Sequence, residues 1–162
     1  LKISEKSFIK SLKSFVGLPH RYEIFLKKKD YVFINDSKAT SFQATKLALQ
    51  NSKNIFWIVG GLPKKNDKIV LKNLRANIVK AYIIGKNINF FKNQIQNKTP
   101  FFIARDLRNS INRIMQDIKI YKKRSNVILL SPASASYDQY SNFEKRGEEF
   151  KKLSKYYAGK YI

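Results

Sequence analysis

Val127-Ile-Leu-Leu130-Ser-Pro-Ala-Ser-Ala-Ser136-Tyr-Asp-Gln-Tyr-Ser-Asn-Phe143-Glu-Lys-Arg-Gly147 is the stretch that decides the fold. The apolar run 127–130 has the length and character of a buried strand. Small and hydroxyl-bearing residues then crowd the exit from Ser131 to Gly147, ahead of an amphipathic helix predicted over 148–157. In an open α/β sheet, ligands bind in the crevice outside the carboxyl ends of the strands. A small, hydroxyl-rich exit is therefore a candidate binding loop.

Short apolar runs alternate with helical periods along the rest of the chain. Residues 54–59, 81–84 and 100–104 are predicted strands, and 42–50, 67–77 and 87–96 predicted helices. Leu107, Ile111, Ile114, Met115 and Ile118 fall at helical spacing behind Asp106, a good N-cap. Thr40 with Gln43, and Ser141 with Glu144, have capping-box spacing. Residues 21–26 and 31–35 are β-like and flank the charged turn 27–30. Residues 4–15 predict a basic helix with Phe8, Ile9, Leu12 and Phe15 on one face. Strands alternating with helices imply βαβ units. The expected fold is α/β, a mostly parallel sheet flanked by helices with an N-terminal β-hairpin at its edge. The handed crossover rule places the exit loops 36–40, 60–67, 85–87, 104–106 and 131–143 along one edge.

A length of 162 residues suits one domain, and 43% hydrophobic with 14% aromatic residues indicates a folded globule. There is no cysteine, which excludes disulfides, thiolate zinc and thiol catalysis. The single histidine, His20, excludes a His-rich metal site and leaves no credible Ser-His-Asp arrangement. The run Ile55-Phe-Trp-Ile-Val59 is far short of the roughly 20 residues that a membrane helix needs. The opening residues carry no apolar signal region, and without an initiator Met the chain is expected to be a piece of a longer one. A cytoplasmic, monomeric protein that does not enter a membrane is expected. The formal charge of +22 admits two readings, an anionic partner or compositional drift toward Lys, Asn, Ile, Phe and Tyr. The lysines are spread along the chain and no nucleic-acid-binding signature occurs, so no nucleic acid is expected as partner.

Three further segments carry chemistry. Asn35-Asp-Ser-Lys-Ala-Thr40 leaves a strand with a carboxylate, two hydroxyls and an ammonium ahead of a helix, a setting that suits an anion or an ordinary capped loop. In Gly60-Gly-Leu-Pro-Lys-Lys-Asn-Asp67 the paired glycines allow a sharp turn or close approach of a ligand, with Lys64 or Lys65 to hold a carboxylate or phosphate. It is not a P-loop, whose G-x-x-x-x-G-K-[ST] pattern is absent. Gly17-Leu-Pro-His-Arg-Tyr22 offers Arg21 as a phosphate or ribose clamp, while His20 reads equally as a packed histidine.

In order and spacing, Gly17 to Glu23, Asn35 to Thr40, Gly60-Gly61 with Lys64 and Asp67, and Leu130 to Gly147 resemble the carboxy-terminal domain of the Mur ligases. Within that family they are most similar to the branch that adds D-glutamate. The resemblance implies a Rossmann-like single domain over residues 1–162, with the family's UDP-binding and central ATPase domains absent. It implies an enzyme that uses ATP and magnesium, mostly bound by the central domain, to convert the carboxylate of UDP-N-acetylmuramoyl-L-alanine to an acyl phosphate that D-glutamate then attacks. By the same resemblance Thr40, Lys64, Ser136 and Phe143 contact D-glutamate, Arg21 and Asp36 contact nucleotide, and Lys38 lies beside the reacting groups. No metal ligand is implied. Lys65 stands where many members have Gly, and Ser134 where Cys is common. Another Mur ligase or a folate polyglutamate ligase would share the architecture; Asp36 to Thr40 and Ser134-Ala-Ser136 favour the D-glutamate branch.

Overall fold

The structure, a computed structural model, describes residues 3–15, 17–121 and 124–162. Six strands form one sheet: β1 (Glu23–Lys28), β2 (Tyr31–Asn35), β3 (Ile55–Gly60), β4 (Ile78–Ile84), β5 (Phe101–Arg105) and β6 (Asn126–Leu130). Their order is β1-β2-β6-β3-β4-β5, with β1 antiparallel to β2 and every other pairing parallel. The last strand in sequence thus lies at the centre, between β2 and β3. Its exit loop is flanked by the exits of both neighbours.

The two-residue period of a strand sends alternate side chains to opposite faces, and here both faces are covered. Ile34, Trp57, Val59, Ile83 and Leu129 enter one core with α2 (Phe42–Gln50) and α3 (Ile88–Ile95). Phe33, Phe56, Ile58, Tyr82, Ile128 and Leu130 enter the other with α4 (Leu107–Ile120) and α5 (Phe143–Tyr161). Strands buried on both sides read as continuous apolar runs, and all six residues of β3 are buried. The five residues expected on one face of α4 are all buried, and Asp106 caps that helix by accepting from Asn109 N at 2.7 Å.

Several local expectations are corrected. Residues 67–77 do not form a helix; only the 3-10 turn Arg75–Asn77 does. Ile69 and Leu71 are buried while Val70 between them is 61% exposed, a two-residue alternation. Side chains of α3 and its flank replace the helical ladder: Ile69 N donates to Gln94 Oε1 at 2.6 Å, and Lys98 Nζ donates to Ile69 O at 3.2 Å. Both expected capping boxes slip by one residue. The N-cap of α2 is Ser41, not Thr40, and that of α5 is Asn142, not Ser141. Helix α5 accordingly begins at Phe143 and not at 148, which puts Arg146 and Gly147 inside it. The hairpin turn shrinks to Lys29 and Asp30, because Lys27 and Lys28 belong to β1. Helix α1 (Glu5–Ser14) forms as expected but has no buried residue, and its face of Phe8, Ile9 and Leu12 is exposed. Among the described residues no helix is long and apolar enough to cross a membrane.

Candidate functional site

Four chain segments meet at the carboxyl edge of β2, β6 and β3, and specific bonds join them. Asp36 N continues the β2–β6 ladder by donating to Leu130 O at 2.8 Å. Gly60 N donates to Pro132 O at 2.9 Å, and Leu62 and Ala135 exchange backbone bonds of 2.9 and 3.0 Å. Asp67 Oδ2 accepts from Phe42 N at 2.9 Å, so the far end of the lysine loop also caps α2 beside Thr40. The segment before β1 joins through Lys38 N, which donates to His20 O at 3.0 Å, and Tyr22 N, which donates to Asp36 Oδ1 at 3.1 Å.

Arg21, Asp36 and Lys38 line one groove of about 380 Å³, together with Tyr22, Ala44 and Leu47. Arg21 is exposed. Asp36 is buried, and both its oxygens accept bonds, Oδ2 from Ser131 Oγ at 2.7 Å. Burial raises its pKa above the ordinary aspartate value, and the bonds from Ser131 and Tyr22 with the nearby Arg21 offset only part of that. Thr40, Lys64, Ser136 and Phe143 lie outside the groove lining. Thr40 and Phe143 are half-buried, Ser136 is buried and Lys64 is exposed. Lys38 of the groove lining reaches one residue of the other set: its Nζ lies 3.9 Å from the centroid of the Phe143 ring. His20 is a packed histidine: it is buried, its Nδ1 is 2.9 Å from Asn35 Nδ2, and its ring meets the edge of Phe143.

The glycine pair sits where neighbouring backbone comes close. A Cβ on Gly60 would overlap the Ile84 carbonyl, and one on Gly61 would overlap Ala135 O and lie 2.6 Å from Ser134 Oγ. Both residues also have positive φ, 130° and 136°. Their lack of a Cβ makes room for the backbone of Ile84 and Ala135.

No family model matches the chain. Curated relatives are found. The UDP-N-acetylmuramoylalanine--D-glutamate ligase of Wolbachia sp. subsp. Brugia malayi is 41% identical over 150 residues, 93% of this chain and 30% of that protein. The enzymes of the same name from Bartonella henselae and Rhizobium meliloti are 41% and 40% identical over 93% and 91% of this chain, each with 32% of its own length covered. This chain is most like the carboxy-terminal domain of a Mur ligase. It spans about a third of the length of the relatives it matches. Among solved structures, MurF from Acinetobacter baumannii aligns with a TM-score of 0.59 at 13% identity, over 93% of this chain and 34% of that one. A bifunctional folylpolyglutamate synthase/dihydrofolate synthase from Yersinia pestis aligns at 0.60 and 16%, over 94% and 35%. At those identities the likeness is one of fold.

The two departures from the Mur ligase pattern are accommodated. The left-handed backbone of the lysine loop falls on Asn66, with φ 66°, and not on Lys65, so position 65 has no need of glycine. Ser134 is buried against Gly61, and its hydroxyl donates to Pro132 O at 3.1 Å. One residue central to these loop contacts was missed by sequence reasoning. Arg146, 1% exposed, donates from Nε to Ser37 Oγ at 3.0 Å and from Nη2 to Ser37 O at 2.8 Å and Ser134 O at 3.0 Å. It thereby ties the β2 and β6 exit loops to the first turns of α5, while Nη1 has no hydrogen-bond partner among the described residues. Burial lowers its pKa to about 10, which leaves it charged at neutral pH. A signal was present: Arg146 shares the face of Phe150 and Leu153, an arginine at a core position of the helical period.

Proposed function

We propose that this chain is the domain of an ATP-dependent ligase that receives D-glutamate for addition to UDP-N-acetylmuramoyl-L-alanine, in cytoplasmic synthesis of peptidoglycan precursors. The observation that carries this reading is the set of mutually hydrogen-bonded loops bearing Thr40, Lys64 and Ser136, in a chain 41% identical over 150 residues to a ligase of that name. D-Glutamate has two carboxylates. Lys64, unburied and on a loop anchored at both ends, supplies a charge-assisted contact to one, and the Thr40 and Ser136 hydroxyls supply directional ones. Phe143 borders the same place. Arg21 and Asp36 serve the nucleotide: the guanidinium takes a phosphate or ribose-linked group, and each oxygen of Asp36 keeps a lone pair for a hydroxyl. Lys38 lies between the two sets, beside the reacting groups.

ATP, when bound, supplies the phosphoryl group that activates the substrate carboxylate. This chain's residues orient the incoming amine and screen the negative charges that approach one another. By resemblance to the Mur ligases, magnesium is assigned to the central ATPase domain of the whole enzyme, and the uridine group to a UDP-binding domain. The chain by itself, as a monomer, is expected to bind weakly and catalyse nothing; ATP-dependent ligation by it in isolation would contradict that assignment. The substrate is tested by titrating the labelled chain with D-glutamate, L-glutamate and diaminopimelate while following amide resonances. D-Glutamate should perturb Thr40, Lys64 and Ser136 most. Perturbations clustered elsewhere, or a preference for either other amino acid, would overturn the assignment.

A further inference from the structure

Lys38 has an unusual perch. Its ammonium lies 3.9 Å from the Phe143 ring centroid, and none of the ion pairs among the described residues includes it. The charges around it are mixed. Phe143 is the first residue of α5, the end at which a helix carries partial positive charge, and the groove that Lys38 lines holds both Arg21 and the carboxylate of Asp36, whose oxygens already accept from Tyr22 N and Ser131 Oγ. The ring face supplies the attraction that holds it, electrostatic in origin and stronger where water is excluded.

The perch is itself held. The His20 ring meets Phe143 edge-on at 6.0 Å and 80°. The Phe143 carbonyl accepts from Ser37 Oγ at 2.8 Å, and Ser37 is gripped by Arg146. The lysine backbone is pinned through its N–H to His20 O. The ring and the lysine backbone are therefore both held by contacts within the chain.

We propose that Phe143 is a positioning residue whose ring holds the Lys38 ammonium at the junction of the groove and the amino-acid loops, with its charge left free for an oxyanion of the ligand. A carboxylate partner would orient the lysine as well but would neutralise it. An aromatic face orients it without doing so. The oxyanion is a carboxylate or a phosphoryl group, and the inference rests on the reading of the site given above.

The test uses the 162-residue chain with labelled lysine. Methylene protons of Lys38 beside the ring face should be displaced upfield from those of the other lysines. The displacement should vanish in Phe143→Leu and in Phe143→Met, a second variant that keeps bulk without a π face, and should persist in Phe143→Tyr. D-Glutamate and inorganic phosphate are then titrated separately. The probe that uses Lys38 should bind about three- to tenfold more weakly to the Leu and Met variants and recover in the Tyr variant. Lys38 protons at ordinary shifts in the wild type would overturn the proposal, and so would unchanged affinity in folded Leu and Met variants. If the wild type binds neither probe, the D-glutamate reading fails, and the ring-current shift still decides whether Phe143 positions Lys38.

Discussion

Two glycines in the same helix should respond in opposite directions to the same substitution. A Cβ at Gly147 of α5 would overlap His20 Nδ1 and lie 2.9 Å from His20 Cε1 and 3.0 Å from Asn35 Nδ2, whereas one at Gly159 meets nothing within 4 Å. The imidazole has little room to yield. It is buried, bonded to Asn35, set against Phe143, and carried on a backbone with φ 63°. Overpacking of this kind costs about 1–3 kcal/mol, and loss of the His20–Asn35 hydrogen bond adds about 0.5–1.5 kcal/mol. Alanine returns up to about 1 kcal/mol of helix propensity at either position. Gly147→Ala should therefore lose about 1–3 kcal/mol, and Gly159→Ala should gain about 0.5–1 kcal/mol, less if the last turn frays. For a domain of this size each kcal/mol moves Tm by about 2–4 °C. Thermal unfolding followed by circular dichroism should show Gly147→Ala melting roughly 3–10 °C below wild type and Gly159→Ala at or slightly above it. Shifts of the same sign in both variants would refute the contact argument, because propensity would then dominate at both sites. Displacing His20 should also disturb Lys38, whose N–H it holds, so Gly147→Ala should weaken D-glutamate binding as well.

Two further predictions concern the ties around the site. Burial alone would raise the pKa of Glu23, but bonds from His20 N, Asn35 Nδ2 and Lys151 Nζ accompany a net lowering. A carboxylate depressed in the folded state contributes stability above its unfolded pKa and loses it as pH falls through the folded value. Urea midpoints should therefore show Glu23→Gln less stable than wild type at neutral pH, with the gap closing as pH drops below about 4.5; a pH-independent gap would contradict the linkage. Asp36, whose folded pKa is raised, has the opposite sign in that window and is common to both proteins. Asp67→Ala removes the acceptor for Phe42 N and should cost about 1–2 kcal/mol. It should also speed hydrogen exchange at Phe42 while leaving the amides of β3 protected, and unchanged exchange would show that the cap does not anchor the lysine loop.

Helix and strand positions were legible wherever burial follows a simple period. The doubly buried run in β3, the apolar face of α4 behind Asp106 and the small-residue exit of β6 are local patterns. Strands alternating with helices imply βαβ units and so a mostly parallel sheet, and continuous apolar runs fit strands covered on both faces. Residues 67–77 were not legible, because Ile69, Leu71 and Leu74 suit either period and the choice falls to Gln94 and Lys98, which take up the backbone of Ile69 from outside the segment. The one-residue slips of both caps have a similar origin. Neighbouring polar side chains compete at each helix start, Thr40 with Ser41 and Ser141 with Asn142, and the ones that accept from the first-turn amides are Ser41 and Asn142.

By itself, then, the sequence determined the alternation of elements, the edge of the sheet at which a site can form, and the segments that bear Arg21, Asp36, Lys38, Thr40, Lys64, Ser136 and Phe143. Only the tertiary structure showed that Gly60 and Gly61 make room for the neighbouring backbone of Ile84 and Ala135. It alone showed that Asp36 spends a lone pair of each oxygen on internal bonds, that Arg146 welds two exit loops to α5, and that Lys38 rests on an aromatic ring. The reason is range. Periodicity and capping act over a few residues, whereas these contacts join positions more distant in the chain, 14 residues apart for Tyr22 and Asp36 and 109 for Arg146 and Ser37, and no local pattern records which distant atoms will be there to meet.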